Sequence, residues 1–477
     1  VIELPVLDEQ ASRDLAVRAT AAAPPPPHEI DQLVERAGGN PLFLLELVRA
    51  TRELGTLDAV PSSLQGAMAA QVDALDPFAR RVLSYASVFG RSFRRDALRE
   101  ALRADRIDVD PATFNRLQAF LEADGPTRWR FRNGLVRDVT YDGLGFRLRI
   151  RLHLNAGEAI ERISMDREAD ADTLALHFFQ AGDHPRTFRY AVRAGERAAR
   201  AQANADAAVQ FERALEAAGR LHDVDGSERY RLLLALGQTR ERAGLLDPAL
   251  DAYRSAAGLV RDDANELCDV RLRRARVHEL AGSFPVALRE ATRVRTTLDA
   301  RRDERSGAQR AQAAAFASSV RVHQERPREA LRLAAVAIDE AERYHERSAL
   351  ARAYSTQAWA TIVTGRGDPS ADLRRALALY REIGDLQSQA HMENNLGVQA
   401  YFAGDWDETL RRYRSASDAC RTVGDLANAA LTDVNIGEVL VNQGRVDEAT
   451  PLLREAARTV RSLGSPVTAA FAEMHLG

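Results

Sequence analysis

Apolar and polar residues follow the period of an α-helix through most of the chain. From about Ala169 onward, helical patterns recur with short polar breaks between them. Three of these breaks have the same form and lie forty residues apart: Ile383-Gly384-Asp385, Val423-Gly424-Asp425 and Leu463-Gly464-Ser465. Self-similarity at a fixed period of this length indicates a helical solenoid, in which each hairpin buries its apolar face against its neighbours.

The residues within one repeat alternate in size. In the repeat that contains Leu396-Gly397, the first helix carries these two residues, Gly404-Asp405 forms the turn, and the second helix carries Thr409, Tyr413 and Ala416. Small residues allow two antiparallel helices to approach closely, and the large ones fill the gaps between them. The same positions recur as Leu236, Gly237, Gly244, Ala249, Tyr253 and Ala256, and as Ile436, Gly437, Gly444, Ala449, Leu453 and Ala456.

This pattern resembles the tetratricopeptide repeat, over roughly two-thirds of the chain. The resemblance implies an all-α fold, with a winged-helix-like module followed by a right-handed tetratricopeptide-type α-solenoid. We assign residues 164–477 to the repeats, about seven in number, with the last one cut off at Leu476-Gly477. A HEAT-like array and an unrelated helical bundle are the alternatives. Solenoids of this type bind proteins on a concave face, so we expect a protein or a small-molecule inducer as the partner.

Residues 1–160 do not follow the forty-residue period. A strand is predicted at Val1–Pro5 and a linker at Ala21–Pro27. Helices are predicted at Glu29–Ala37 and Pro41–Glu53, and Asn40 is a suitable N-cap for the second of them.

The sequence Gly39-Asn40-Pro41 resembles the G-x-P motif of signalling ATPases of the STAND class, at the end of their ATPase module. The resemblance implies that residues 1–57 are the helical lid of a truncated NTPase module, with Pro41 beside the adenine of a nucleotide. Gly39, Asn40 and Pro41 are therefore candidate nucleotide-binding residues. We expect no cofactor in this chain alone, and ATP or ADP in the intact protein.

The region 58–163 combines helical patterns with one short β-hairpin. Helices are predicted at Pro61–Leu75, at Phe78–Phe89, after Ser92, and at Ala112–Ala123, followed by a strand at Arg128–Arg132. Three helices and a hairpin are the elements of a winged helix.

The same region resembles the corresponding part of two bacterial groups. One is the class III adenylate and guanylate cyclases with an ATPase-plus-repeat extension, and the other is the large ATP-binding LuxR-type regulators. The matching residues are Ser62-Ser63-Leu64-Gln65, Arg80-Arg81-Val82-Leu83, Phe131-Arg132-Asn133-Gly134-Leu135-Val136 and Tyr141. These groups have a histidine where this chain has Asn133, so the resemblance implies that nucleotide sensing at Asn133 is altered or lost.

Seven arginines lie between Arg128 and Arg151, interleaved with aromatic residues. This composition allows DNA or RNA contact through the wing. We favour an intramolecular contact with an upstream NTPase, because the module serves as a latch in the groups that it resembles.

The remaining composition excludes several chemistries. The chain has a formal charge of −3, and all 66 of its basic residues are arginine, so it lacks the lysine of a P-loop or a Schiff base. Cys268, Cys420 and the histidines show no metal-ligand spacing. No stretch is long and apolar enough for a membrane span, and we expect a cytoplasmic location.

The chain begins without methionine and ends within a helical pattern, so we expect it to be part of a longer protein. The sequence predicts a non-catalytic sensing arm of a STAND-type signalling ATPase, which by itself neither hydrolyses ATP nor binds it well. The alternatives are the regulatory half of a nucleotide cyclase and part of a LuxR-type regulator.

Overall fold

The computed structural model describes residues 7–20, 27–54, 64–109, 113, 116–365, 367–462, 470, 473 and 474. The chain divides into two compact units, Val1–Leu232 and Leu233–Gly477. The domain boundaries predicted at 57/58 and 163/164 both fall inside the first unit and stay predictions. The predicted opening strand and nearly all of the Ala21–Pro27 linker lie outside the described residues, although Pro27 begins a helix.

The first unit begins with three helices: α1 (Glu9–Ala19), α2 (Pro27–Ala37) and α3 (Pro41–Leu54). The last two confirm the helices predicted there, while α1 was not predicted. Leu33 and Leu44 lie in the core that the three helices share. This small core holds the turn that carries Gly39-Asn40-Pro41.

The next helices surround a second core, which is built from apolar residues of every helix and of the sheet. These helices are α4 (Leu64–Asp73), α5 (Pro77–Val88), α6 (Arg95–Ala104), α7 (Gly134–Asp142) and α8 (Phe146–Ile163). Asp76 caps α5, because its Oδ1 accepts hydrogen bonds from the backbone N–H groups of Phe78 and Ala79 at 3.0 and 2.9 Å.

Three short strands complete this module: β1 (Ser92–Arg94), β2 (Leu121–Asp124) and β3 (Arg128–Phe131). They form an antiparallel sheet in the order β1-β3-β2. Leu121 faces Phe131 across the hairpin, and both side chains are buried, which fixes the register. Helices with a β-hairpin wing confirm the predicted winged-helix-like module.

The predicted helix Ala112–Ala123 is wrong in its second half. Leu117–Ala119 form one turn of 3-10 helix, and β2 follows directly. The physical reason is non-local, because the backbone of β2 is hydrogen-bonded to β3 beyond the Asp124-Gly125-Pro126 turn. Residues 110–112, 114 and 115 lie outside the described part of the chain. Strand β1 was also missed, since only a helix was predicted after Ser92.

The rest of the chain consists of helices joined by short turns. In the first unit they are α9 (Ala171–Ala181), α10 (His184–Arg200) and α11 (Asn204–Ala218). Then follow α12 (Gly226–Arg242), α13 (Leu246–Leu259), α14 (Ala264–Leu280), α15 (Phe284–Leu298), α16 (Glu304–His323), α17 (Pro327–Arg343), α18 (Arg347–Thr364), α19 (Ser370–Ile383), α20 (Leu386–Phe402), α21 (Trp406–Thr422), α22 (Leu426–Asn442) and α23 (Val446–Ser462).

In each hairpin the even-numbered helix comes first and the odd-numbered helix second; we call the even-numbered helices α12 to α22 the first helices. In α12, α20 and α22 a glycine of the first helix packs against a large side chain sixteen residues later. A Cβ built on Gly397 would lie 2.6 Å from the ring of Tyr413, and one on Gly437 would lie 2.4 Å from Leu453. These contacts confirm the predicted tetratricopeptide-type packing.

The predicted turns have the backbone that their glycines indicate. Gly404 and Gly444 have φ angles of 78° and 74°, in the left-handed region. The breaks at Gly384 and Gly424 also end helices. The third break, Leu463-Gly464-Ser465, and the terminal Leu476-Gly477 lie outside the described residues. Within the part of the chain that the structure describes, no helix is long and apolar enough to cross a membrane.

Candidate functional site

The residues of the nucleotide-lid motif form the turn between α2 and α3. Gly39 has a φ of 78°, and its carbonyl accepts a hydrogen bond from the Leu7 N–H at 2.8 Å. Asn40 Oδ1 accepts from the Phe43 N–H at 3.1 Å, so Asn40 is the predicted N-cap. A cavity of about 470 Å³ lies against Gly39, and Pro41 is exposed and outside its lining. The capping function is confirmed, and the nucleotide contact stays a prediction.

Asn133, the predicted sensor position, caps α7. Its Oδ1 accepts a hydrogen bond from the Leu135 N–H at 2.9 Å, and its backbone is extended. Capping explains an asparagine at this position without a ligand. Asn133 lies at the start of α7, whereas the Gly39-Asn40-Pro41 turn joins α2 to α3. The link of Asn133 to nucleotide sensing stays a prediction.

The second unit contains a cavity of about 270 Å³ that we call the arginine cavity. It is lined by side chains from four consecutive first helices, α12, α14, α16 and α18. Its lining consists of Gln238, Glu241, Arg242, Leu272, Arg273, Arg276, Gln312, Ala315, Phe316, Ser348, Ala349 and Arg352. On each helix these residues recur within one turn, so that one face of each helix points into the cavity.

Arginine dominates the electrostatics of this cavity. Glu241 is the one carboxylate in the described lining, and both of its oxygens are engaged, by Arg276 Nε at 2.9 Å and by the Tyr253 hydroxyl at 3.1 Å. Burial raises the pKa of Tyr253 well above its usual value, so the hydroxyl stays protonated and donates. Arg273 pairs with Asp269 at 3.3 Å.

The other two arginines have no such partner. Arg242 and Arg352 make no ion pair among the described residues. The guanidinium carbon of Arg352 lies 6.0 Å from the centre of the Phe316 ring, which is a cation–π distance. The cavity therefore carries positive charge in excess of the carboxylates that face it.

A second cavity of about 420 Å³ lies farther along the repeats, and we call it the carboxamide cavity. Its lining comes mainly from the first helices α16, α18, α20 and α22. It includes four asparagines, Asn394, Asn395, Asn428 and Asn435, and no aspartate or glutamate among the residues that the structure describes. Met392, Leu431 and Trp359 supply apolar surface between the polar groups.

The asparagines differ in how they are bonded. Asn428 Nδ2 donates to Asp425 Oδ2 at 2.7 Å, and Asn435 Nδ2 lies at 3.5 Å from Asn394 Oδ1. Asn395, which is half-buried, makes no side-chain hydrogen bond with another described residue. A half-buried carboxamide with open donors and an open acceptor matches the N–H and C=O groups of a peptide main chain.

Arg352 belongs to the lining of both cavities. The two cavities therefore adjoin along the first helices, and we call the two together the first-helix groove. One part of the groove is cationic and the other is neutral and rich in carboxamides. Such a surface can hold an extended chain that has a polar backbone and an anionic group.

The sequence contains a signal for this groove in the asparagines of its first helices. Asn395 directly precedes Leu396-Gly397, and Asn435 directly precedes Ile436-Gly437, so the two asparagines occupy the same position in successive repeats. Asparagine is disfavoured within helices, and its recurrence there points to a use other than stability.

Comparisons with known proteins give structural likeness only. No family model matches the sequence, and no curated protein matches it either. The chain is similar to a STAND protein with a tetratricopeptide repeat sensor from Pyrococcus horikoshii, with 14% identity, 100% of this chain and 69% of that chain covered, and a TM-score of 0.45.

Two further similar structures are a quorum sensor and a conjugation gene regulator. The apo quorum sensor NprR from B. thuringiensis has 10% identity, with 68% of this chain and 93% of that chain covered and a TM-score of 0.46. The Rap conjugation gene regulator of the plasmid pLS20, in complex with the Phr* peptide, has 11% identity, with 67% and 92% covered and a TM-score of 0.43. Identities and TM-scores at this level assign no function to this chain.

Proposed function

We propose that this chain is a sensing arm that binds an extended peptide segment of a partner in its first-helix groove. The observation that supports the proposal is the continuity of the groove, in which the carboxamide cavity and the arginine cavity share Arg352. Along the carboxamide cavity the described lining offers hydrogen-bonding groups without an aspartate or glutamate, which suits the neutral main chain of a ligand.

The dimensions fit a ligand of peptide length. Packed helices lie about 8–10 Å apart and an extended chain advances about 3.3 Å per residue, so about three ligand residues pass each first helix. Asn395 and Asn435 then meet main-chain groups about three residues apart. Met392 and Leu431 contact ligand side chains between these polar contacts.

The proposal extends to the intact protein. There the chain would serve as the regulatory arm of a STAND-type signalling ATPase, and peptide binding would change the contact between the winged-helix-like module and an upstream NTPase. A ligand drives such a switch only through different affinities for the two states. A Walker A motif upstream of Val1 in the natural gene supports this context, and a gene without one overturns it. A cyclase domain or a DNA-binding domain in that gene would select one of the two alternative outputs.

Peptide binding can be tested with the full chain and a display library of random peptides of about eighteen residues, a length that spans the six first helices of the groove. We expect enriched sequences whose synthetic peptides bind the wild type and lose about tenfold or more in affinity to Asn395→Ala. Asn442→Ala is the matched control, since Asn442 ends α22 outside both cavities. Failure of the library to enrich any sequence, or equal binding by Asn395→Ala, would contradict the proposal.

A further inference from the structure

The arginines that line the arginine cavity outnumber the described carboxylates that pair with them. Four arginines line it, and the carboxylates that pair with them are Glu241 and Asp269. Glu241 is 11% exposed, and both of its oxygens are already bonded, so it has little capacity left for the other arginines. Two positive charges in excess remain at this place, although the chain as a whole has a formal charge of −3.

The guanidinium groups keep their charge in this environment. Burial opposes the charge of Arg273, but Asp269 and the Tyr253 hydroxyl outweigh it, and the pKa of Arg273 is raised above its usual value. Arg242 and Arg352 make no ion pair with a described carboxylate. Their donors therefore remain open to an anion that enters from solvent.

The floor of the cavity strengthens any such contact. Phe316 and Ala349 are 5% and 2% exposed, and Leu272 and Ala315 lie beside them. An apolar floor lowers the local dielectric constant, so that a pair between an entering anion and arginine is stronger than on an open surface. Gln312 on α16 adds an amide donor from the wall.

We propose that the arginine cavity is the subsite for an oxyanion of the bound peptide, held by Arg242 and Arg352 with Arg273 and Arg276 beside them. The oxyanion is the carboxylate of an acidic residue or a phosphoryl group on a side chain, because the planar guanidinium fork matches both. The inference rests on the proposed peptide binding and adds a direction to it. The anionic part of the ligand lies along α12 to α18, and its neutral part lies along α16 to α22.

The test uses the same display library on the full chain and on two variants, Arg242→Gln and the double variant Arg242→Gln/Arg352→Gln. Arg242 lines only the arginine cavity, so its single variant leaves the carboxamide cavity intact. Arg328→Gln is the matched control, because Arg328 is exposed on a second helix, α17, outside both cavities. Thermal unfolding of each variant checks that the fold is kept.

We expect the peptides selected on the wild type and on Arg328→Gln to be enriched in acidic residues at one end, and those selected on the double variant to lose this bias. For a selected peptide, replacing its glutamates by glutamine should weaken binding to the wild type about tenfold or more and leave binding to the double variant unchanged. Binding to the wild type should also weaken more steeply with rising salt concentration than binding to the double variant.

The outcomes separate the two proposals. If nothing is enriched on any protein, the peptide-binding function fails and this inference fails with it. If peptides are enriched without an acidic bias, or with the same bias on both arginine variants, the oxyanion subsite alone is overturned.

Replacing the critical glutamate by phosphoserine identifies the source of the anion. A phosphoserine peptide that binds about tenfold more tightly indicates a phosphoryl ligand, and equal or weaker binding indicates a carboxylate.

Discussion

His153 Nδ1 lies 3.0 Å from His177 Nδ1, in a buried contact that joins α8 to α9. Both rings are at most 3% exposed, and the Tyr141 hydroxyl lies 3.0 Å from His153 Nε2. One Nδ1 must donate and the other must accept, so the accepting ring must be neutral and the two rings cannot both be protonated. Three side chains from α7, α8 and α9 thus form one hydrogen-bonded chain.

This contact should make the first unit sensitive to acid. Burial, with Arg137 and Arg149 nearby, lowers the pKa of His153 to about 4, and burial together with His153 lowers that of His177 to about 3. An unfolded histidine titrates near pH 6.5. The unfolded chain therefore binds more protons below that pH. The stabilisation is complete above about pH 6.5 and is lost as pH falls toward 4, by about 2 kcal/mol per histidine at pH 5.

Hydrogen–deuterium exchange of the full chain between pH 7.5 and 5 measures this effect, after correction for the intrinsic pH dependence of exchange. We expect α8 and α9 to lose protection on acidification, and the double variant His153→Gln/His177→Gln to lose most of that pH dependence. His222→Gln, at an exposed histidine of the same unit, is the control and should behave as the wild type. Unchanged protection of α8 and α9 in the wild type at pH 5 would contradict the prediction.

The close approach of paired helices predicts opposite effects for two glycines. A Cβ on Gly397 would lie 2.6 Å from the Tyr413 ring, so Gly397→Ala forces the helices apart and should cost about 1–3 kcal/mol of unfolding free energy. Gly258, inside α13, has no atom nearer than 4.0 Å to the same position. Gly258→Ala should therefore stabilise the chain by about 0.5–1 kcal/mol, because alanine favours the helix.

Urea unfolding followed by circular dichroism checks both variants. The two Gly→Ala substitutions should change the unfolding free energy in opposite directions, which separates the effect of steric overlap from that of helix propensity. Destabilisation of similar size by both would show that overlap with Tyr413 is not the cause.

The sequence predicts the helices of this chain well because their signals are local. The Leu396-Gly397 pattern and its copy at Ile436-Gly437 specify which faces are buried, and the structure has the corresponding side chains in the core. Not every repeat of the chain has the turn glycine. At the end of α16 Glu325 takes the left-handed conformation instead, with a φ of 56°. That strain costs about 1–2 kcal/mol, and the neighbouring helices must offset it.

What the sequence predicts poorly depends on distant pairing. Taken alone, the sequence of β2 is compatible with the end of a helix, because Leu121 and Ala123 fit a helical pattern as well as a strand pattern. Its pairing with β3 makes it a strand. The groove depends even more on distant packing. Arg242 and Arg352 are more than a hundred residues apart in the sequence, and they line one cavity only because four hairpins stack. The repeated asparagines Asn395 and Asn435 were visible in the sequence, but their meaning depends on the cavity that they share.

Three arginines of the wing bond to other residues of the same module, and these bonds affect how the wing can bind nucleic acid. Arg130 Nε and Arg132 Nη1 both bond Glu122, at 2.6 and 3.1 Å. Arg128 donates to the Ser92 carbonyl at 3.0 Å. The pairs with Glu122 reduce the charge that the hairpin presents to a phosphate backbone, and the bond of Arg128 occupies one of its donors. The contacts therefore favour the predicted intramolecular function over DNA binding.

The full chain should bind duplex DNA only in the non-specific range, with a Kd of about 10⁻⁴–10⁻⁶ M at physiological salt. Glu122→Gln should release Arg130 and Arg132, tighten binding several-fold and steepen the dependence of log K on log salt by up to about two. Glu325→Gln, in the second unit, removes a charge of the same sign and should change neither quantity. Electrophoretic shifts over a salt series measure both. Tight binding by the wild type that Glu122→Gln leaves unchanged would mean that the wing contacts nucleic acid despite these pairs.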